Sequence, residues 1–401
     1  MIVPILFLAV ILVDVYIYRS VISARFRHLP ARVGYIVFAV LTDVGVLSMF
    51  LLYGLQGDNS SAGMGVIMWL LWVFLLTAFP KLLFALGSML DWLVSLVVRR
   101  KYHLFRWVGG ALSVVVVVGM ICGASVGRKQ IVVRSVEVCS PRLPEGFEGY
   151  RIVQFSDVHL GTLNRPKQRL AQMVEVINSL DADLVVNSGD IVNISYRDFS
   201  PEAVAELAQI RARDGVVSVL GNHDLGFYVR DSLALPPAEN VARLGEIFSE
   251  MGWHTLRDQT MYVHRGGDSI AVSGLNYPAD HHLNGHNADL ASVDLAKTFE
   301  GVPPEIFSVV VSHAPQMWDD ITLAGRGDLT LSGHTHAMQL KINLLGWQWS
   351  PAQLLYKEWS GLYRNGENKA LYINDGIGYV GYPMRVGAPS EITLITLRKC
   401  E

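Results

Sequence analysis

Five short apolar runs in this chain each finish on side chains able to bind a metal ion or move a proton. RIVQFSD (151–157) delivers Asp157 and, two residues on, His159. LVVNSGD (184–190) delivers Asp190, and VVSVLGNHD (216–224) delivers Asn222, His223 and Asp224. FSVVVSHA (307–314) carries His313, and LTLSGHTH (329–336) carries His334 and His336. One carboxylate or imidazole after a strand is ordinarily a cap or a satisfied core group. Five ordered sets in one chain point instead to a shared site. Asp157 and His159, like His334 and His336, stand at i and i+2, which an extended chain projects to one side. Gly189, Gly221 and Gly333 directly precede ligand-type residues, where a sharp turn needs positive φ or close backbone approach.

The donors are carboxylate, amide and imidazole, with no thiolate. That set suits Mn, Fe or Zn rather than a structural zinc cluster. It also exceeds what one ion can use. Two divalent ions sharing a bridging carboxylate account for the number. Such a pair generates hydroxide near neutral pH and clamps both oxygens of an in-line phosphoryl displacement.

The ordered set Asp157-Val158-His159, Gly189-Asp190, Gly221-Asn222-His223-Asp224, His313 and Gly333-His334-Thr335-His336 resembles the calcineurin-like metallophosphoesterases. The tail from Ser360 to Leu397 is similar to their membrane-associated bacterial branch, which has multi-span relatives. The resemblance covers about 131–401. It implies a four-layer sandwich of two sheets flanked by helices. It implies that one metal takes Asp157, His159, Asp190 and His336, and the other Asp190, Asn222, His313 and His334. His223 would contact the phosphoryl group and protonate the leaving oxygen. Asp224 would orient His223. Ala337-Met338 departs from the Gly-Gly that often follows the last histidine in that branch, with a reshaped pocket mouth as the expected result.

These residues need elements to hold them. Between the strands, 166–180 places Leu170, Met173, Val174 and Ile177 at helical spacing, and Ser200-Pro201 starts a second helix with Ala203, Val204 and Leu207 on one face. Strands alternating with helices argue for an α/β domain with covered sheets.

The first 130 residues are different. The chain is 401 residues long, 51% hydrophobic and 17% charged, more apolar than a soluble protein's usual balance. Its three cysteines exclude a disulfide scaffold, and its net charge of −3 gives no nucleic-acid signal. Residues 1–130 hold 11 Lys/Arg against 4 Asp/Glu, whereas 131–401 hold 22 against 32. A membrane domain (1–130) followed by a catalytic domain (131–401) is the expected organisation. Four runs are long enough to span, at about 2–18, 33–55, 64–85 and 107–127. The first lacks a basic flank and a cleavage site, so it reads as a span. Arg19, Arg25, Arg27 and Arg32 follow span one, and Arg99, Arg100, Lys101 and Arg106 follow span three. The loop at 57–60 has no cation. The bias puts those two basic loops in the cytoplasm and the catalytic domain outside it, on a multi-pass inner-membrane protein. Pro80-Lys81 interrupts the third run. A separate span at 82–98 would reverse the orientation, but with no polar loop between the pieces one kinked helix is preferred. Asp14, Asp43, Lys81 and Asp91 lie in or beside the apolar runs and are expected to pair between helices or snorkel.

Three features stay open. Asp280, His281, His282 and His286 occupy a polar loop that reads as solvated. Leu344, Leu345, Trp347, Trp349, Tyr356 and Trp359 fit either ordinary core or an apolar rim beside the site. Cys139 and Cys400 end two strands and would pair if those strands are neighbours. The function expected is a metal-dependent phosphohydrolase (phosphodiesterase, phosphomonoesterase or pyrophosphatase) acting on a lipid or envelope phosphate. The alternative is a membrane sensor that keeps the metal-binding fold without turnover.

Overall fold

The computed structural model describes residues 2–26, 28–55, 61–163, 166–229, 235–278, 293–366 and 368–400. The loop with Asp280, His281, His282 and His286 lies outside them. The chain forms two compact units, Met1–Val126 with Gly381–Met384, and Gly127–Val380 with Arg385–Glu401.

The first unit is helical, with long helices at Ile2–Ile17, Leu29–Leu55, Ser61–Val98 and Leu104–Ser125. Among the described residues two segments are long and apolar enough to cross a membrane, Gly63–Val98 and Leu104–Lys129. The third expected span, 64–85, lies within the helix Ser61–Val98. Helix runs unbroken through Pro80 to Val98, so 82–98 is no separate segment. Two glycines let helices approach closely. A Cβ on Gly109 would stand 2.7 Å from the Leu83 carbonyl, and one on Gly87 would collide with the Phe105 carbonyl. Three of the four charges pair as expected, whereas Asp43 buries Oδ1 with no hydrogen-bond partner. Lys81 Nζ reaches Asp14 at 2.9 Å and Thr42 Oγ1 at 3.1 Å, while the Tyr35 hydroxyl donates to Asp14 at 2.7 Å. Asp91 accepts from the amides of Phe105 and Arg106, at the start of the helix Leu104–Ser125. An anion there satisfies amides that have no partner within the helix.

The second unit contains two six-stranded sheets. The first comprises β1 (Ile131–Ser140), β2 (Arg151–Phe155), β3 (Leu184–Asn187), β4 (Val216–Ser218), β5 (Trp253–Thr255) and β14 (Ser390–Lys399), in the order β1-β14-β2-β3-β4-β5. The second comprises β6 (Gln259–Arg265), β7 (Asp268–Gly274), β8 (Ser308–Val311), β9 (Leu329–Ser332), β12 (Gly361–Arg364) and β13 (Ala370–Ile373), in the order β12-β13-β9-β8-β7-β6. A separate hairpin pairs β10 (Ile342–Leu344) with β11 (Trp347–Trp349).

Period-two alternation assigns the two faces of the first sheet. Ile152, Leu184, Val186, Val217 and Ile395 pack with Val272, Val309, Val311, Leu329 and Leu331 of the second sheet. Val153, Phe155, Val185 and Val216 turn the other way, onto the helices Pro166–Ser179, Pro201–Leu207 and Pro237–Glu250. Leu170, Met173, Val174 and Ile177 are the buried face of the first of these helices. Ser200 caps the second by accepting from the Ala203 amide. β2, β3 and β4 are parallel, as are β7, β8, β9 and β13. Each parallel set therefore delivers its carboxyl ends, and the loops after them, to one edge.

β1 and β14 run parallel in register from Ile131–Ser390 to Ser140–Lys399. That pairing brings Cys139 and Cys400 into a disulfide with Cα atoms 5.7 Å apart, leaving Cys122 free. Thiol titration of the denatured, unreduced chain should find Cys122 alone. Cys139→Ser should lower stability by about 2–5 kcal/mol in thermal unfolding. Three reactive thiols would overturn the pairing.

Candidate metal centre

Every expected ligand follows a strand end within a few residues, and the fold gathers them. Asp157 and His159 follow β2, Asp190 follows β3, Asn222 and His223 follow β4, His313 follows β8, and His334 and His336 follow β9. Ligand atoms of Asp157, His159 and His336 lie within 4.8 Å of one another, as do those of Asp190, His313 and His334. His159, Asp190 and His223 form a third such group that joins the other two. His336 Nε2 is 3.1 Å from Asp157 Oδ1 and 3.1 Å from His159 Nε2. His313 Nε2 is 3.1 Å from Asp190 Oδ2, and His159 Nε2 is 3.8 Å from the same oxygen. Asp157, His159, Asp190, Asn222, His313 and His336 are buried, while His223 and His334 are half-buried.

The backbone that achieves this is not extended. Asp157, His159, Asp190, His334 and His336 all have φ between 47° and 75°. The i, i+2 spacing thus converges through left-handed turns rather than strand geometry. Five non-glycine residues in that region mark stored strain of the kind found at functional sites. Of the three glycines only Gly189 has positive φ, at 103°. Gly221 and Gly333 serve close approach, since a Cβ on either would collide with the carboxylate of Asp190 or Asp157 respectively.

The donor set fits divalent cations. His313 Nδ1 lies 2.8 Å from the Ser188 carbonyl, which can only accept, so Nδ1 carries a proton. In the neutral ring Nε2 then aims a lone pair at the Asp190 carboxylate, an arrangement that needs a positive charge between them. Burial opposes charging His313, but Asp190 outweighs it and lifts the ring to about 9. Burial would also raise Asp157 and Asp190, yet the surrounding imidazoles hold both well below the usual carboxylate range. His159 goes the other way, pushed down to about 4 by burial and by His223 and His336. Asn222 Oδ1 is buried with no hydrogen-bond partner, and its Nδ2 donates to the Tyr228 hydroxyl at 2.9 Å. The oxygen is thereby left as the available donor atom.

Asp224 corrects an expectation. Its carboxylate does not orient His223. It accepts from the amides of Asp190 (2.7 Å), Gly221 (2.9 Å) and Val192 (3.1 Å). Burial and the charge of Asp190 push it up to about 7, against the amides of Gly221 and Val192. The partner of His223 is the Asn193 carbonyl, 2.6 Å from Nδ1. That contact fixes the proton on Nδ1 and leaves Nε2 to exchange one.

Several neighbours escaped the sequence reading. Tyr228 lies on His223 with ring centroids 4.4 Å apart. Tyr277 is 5.9 Å from both His313 and His334. Tyr356, noted only as part of an aromatic run, has its hydroxyl 3.1 Å from His334 Nε2. Arg385 is fully buried, donates to the Gly378, Asp375 and Ala388 carbonyls, and places Nη2 3.3 Å from His336 Nδ1. The Asn374-Asp375-Gly376 turn after β13 had a readable signal, an apolar run ending in Asn-Asp-Gly. A Cβ on Gly376 would stand 2.7 Å from the Asp157 Cβ.

Residues 150–338 match the family described as calcineurin-like phosphoesterase. Residues 1–128 match one described as a probable calcineurin-like phosphoesterase transmembrane domain. A Bos taurus relative, "Transmembrane protein with metallophosphoesterase domain", is 30% identical over 96% of this chain and 86% of its own length. YkuE of Bacillus subtilis (strain 168), an uncharacterized metallophosphoesterase, is 30% identical over 65% of this chain and 82% of its own. Cj0846 of Campylobacter jejuni, also an uncharacterized metallophosphoesterase, is 28% identical over 80% and 76%.

The protein is therefore a membrane-associated, metal-dependent phosphoester hydrolase. It belongs to the calcineurin-like phosphoesterases that carry a transmembrane domain.

His336, Ala337, Met338 and Gln339 all have positive φ, between 45° and 55°. This left-handed turn explains why glycines suit the positions after the last histidine, and here Ala337 is buried against Ala352, Trp359 and Ala388. Ala337→Gly should change stability by less than about 1 kcal/mol, because relieved strain offsets a lost methyl. Ala337→Val should cost about 2–3 kcal/mol in thermal unfolding. A Val variant as stable as the parent would contradict the left-handed turn.

Proposed function

We propose that this chain hydrolyses a lipid-linked or envelope phosphate ester at a dinuclear centre facing the extracytoplasmic side of the inner membrane. The observation that carries the catalytic reading is the convergence of two ligand groups, Asp157 with His159 and His336, and Asp190 with His313 and His334. Asp157, His159, Asp190 and His336 would hold one divalent ion. Asp190, Asn222, His313 and His334 would hold the second. Bound there, Mn, Fe or Zn would supply Lewis acidity and water of lowered pKa.

The chain's own residues do the rest. Asp224 braces the turns carrying Asp190 and Asn222. Asn193 holds His223 so that Nε2 delivers a proton to the leaving oxygen. Tyr228 supports that ring and steers the Asn222 amide. Phosphodiesterase, phosphomonoesterase and pyrophosphatase chemistry all fit this arrangement.

The architecture proposed is a four-helix membrane domain over 1–130 followed by a four-layer sandwich over 131–401. Unbroken helix through Pro80 supports four spans rather than five. The paired Cys139 and Cys400 support an oxidising compartment. The charge bias of the loops supports the same orientation.

Purified protein should contain about two divalent ions per chain. Asp190→Asn should lower metal content and activity together, more than any other single ligand change. His223→Asn should keep the metals and lose about 10²–10⁴-fold on esters with poor leaving groups, but much less on activated aryl esters. One ion with full activity would overturn the dinuclear reading, and equal losses on both ester classes would remove the acid role.

A reporter fused after Glu401 tests orientation. Alkaline phosphatase should be active there and green fluorescent protein dark. The reverse pattern would move the substrate search to the cytoplasm.

A further inference from the structure

The hairpin β10–β11 joins neither six-stranded sheet. From Ile342 to Tyr356 the chain has no Lys, Arg, His, Asp or Glu. Most of its large apolar side chains face outward, although Ala352 is buried. Leu345 at the tip is 100% exposed, Leu354 is 80% exposed, and Ile342, Leu344, Trp347 and Leu355 are exposed too. This settles the two readings of the aromatic run against ordinary core for these residues, although Trp359 is buried.

The tip opposes two physical preferences at once. Leu345 and Gly346 form the two-residue loop, with φ of 53° and 86°. A loop with both φ positive favours Asn-Gly or Asp-Gly. Leucine there is disfavoured by backbone conformation and again by water. An apolar surrounding supplied from outside the hairpin removes the second cost and offsets the first.

We infer that the hairpin and the following Leu354-Leu355 form a membrane-inserting lip, with the hydrocarbon of the bilayer as its occupant. The chain is held in a membrane by its own transmembrane domain, so lipid is present in cis at high effective concentration. The residue order suits bilayer depth, with leucine at the tip and Trp347 and Trp349 behind it at interfacial level. A charge-free surface offers nothing to an oppositely charged protein.

The lip is joined to the metal centre. Ser350 Oγ donates to the Ala337 carbonyl at 2.7 Å, and Thr335 Oγ1 donates to the Trp359 carbonyl at 2.5 Å. Tyr356, at the end of the uncharged stretch, contacts His334. Insertion would hold the mouth of the site at the headgroup layer, where a lipid phosphate is met without leaving the bilayer. This last consequence rests on the lipid-phosphate reading above, but insertion itself does not.

The test uses the full chain in phosphatidylcholine–phosphatidylglycerol nanodiscs. Cys122→Ser removes the free thiol, and Leu345→Cys carries an environment-sensitive fluorophore. The same label on exposed Glu250→Cys reports water. Blue-shifted emission at 345, quenched by doxyl-labelled lipid and shielded from iodide, is the expected result. Iodide quenching equal to that at position 250 overturns the lip. Shielding from both quenchers also overturns it, in favour of a protein partner or a second copy. In a second measurement, Leu345→Glu with Trp347→Glu should lower turnover of nanodisc phosphatidic acid by at least about tenfold. Hydrolysis of a soluble aryl phosphate should stay within about twofold, since these side chains lie outside the metal centre. Where the parent turns over phosphatidic acid, equal turnover by the variant overturns the lip. A parent inactive on lipid but lipid-quenched at 345 would remove the substrate reading and leave the lip standing.

Discussion

The second unit is organised around the burial of two carboxylates in one place. Asp157 and Asp190 have almost no solvent, and each would repel the other strongly at low effective dielectric. Their charge is met by the imidazole of His313, which Asp190 lifts to about 9, and by directed amides. His223 N donates to Asp190 at 2.8 Å, and His334 N donates to Asp157 at 3.1 Å. Left-handed backbone at the ligands, glycines at 221 and 333, and the capture of three amides by Asp224 all follow from aiming those groups inward. The sheets then need only be stiff enough to hold strained turns, and their fully buried strands provide that stiffness.

The membrane unit solves a related problem with a different answer. Lys81 and Asp14 are charges that helix propensity does not require. They are paired with each other, and Tyr35 and Thr42 take up further hydrogen-bonding capacity. Asp91 is taken up by the start of the next helix. Removing one partner from such a pair leaves an uncompensated charge, which costs more than the pair contributes. Asp14, Lys81 and Asp91 thus act here as cross-links between helices.

The clustering of Asp157, His159, Asp190, Asn222, His313, His334 and His336 was legible because their chemistry is concentrated at strand ends, which parallel strands bring to one edge. Elements were legible where periodicity was strong, as in 166–179. What failed was direction. Asp224 follows His223 in sequence, which suggested contact, but adjacent side chains in a turn diverge and Asp224 faces backbone. The continuity of the helix Ser61–Val98 through Pro80 was legible from the lack of a polar loop there, since packed helices tolerate a proline that would break a helix in water. Tyr228, Tyr277 and Arg385 carry no motif. Each reaches the site through long-range packing that spacing does not encode. Lack of charge over 342–356 was visible from the start, yet sequence alone could not separate an interior strand from a surface one.

The turn 336–339 shows how these constraints meet. His336 must face Asp157 while Leu340, four residues on, bridges to Val386. Only a tight left-handed reversal connects the two. Glycine would allow it most easily, but alanine at 337 adds a methyl to the small cluster with Ala352, Trp359 and Ala388. Trp359 and Ala352 flank the end of the uncharged segment, and Ser350 is tied to the carbonyl of Ala337. Strain at the turn and packing beneath the hairpin are therefore borne by the same few atoms. Replacing Ala337 and Met338 by glycines would relax the turn and loosen that attachment together. A chain that keeps side chains at these positions trades backbone ease for a firmer link between the metal centre and the surface beside it.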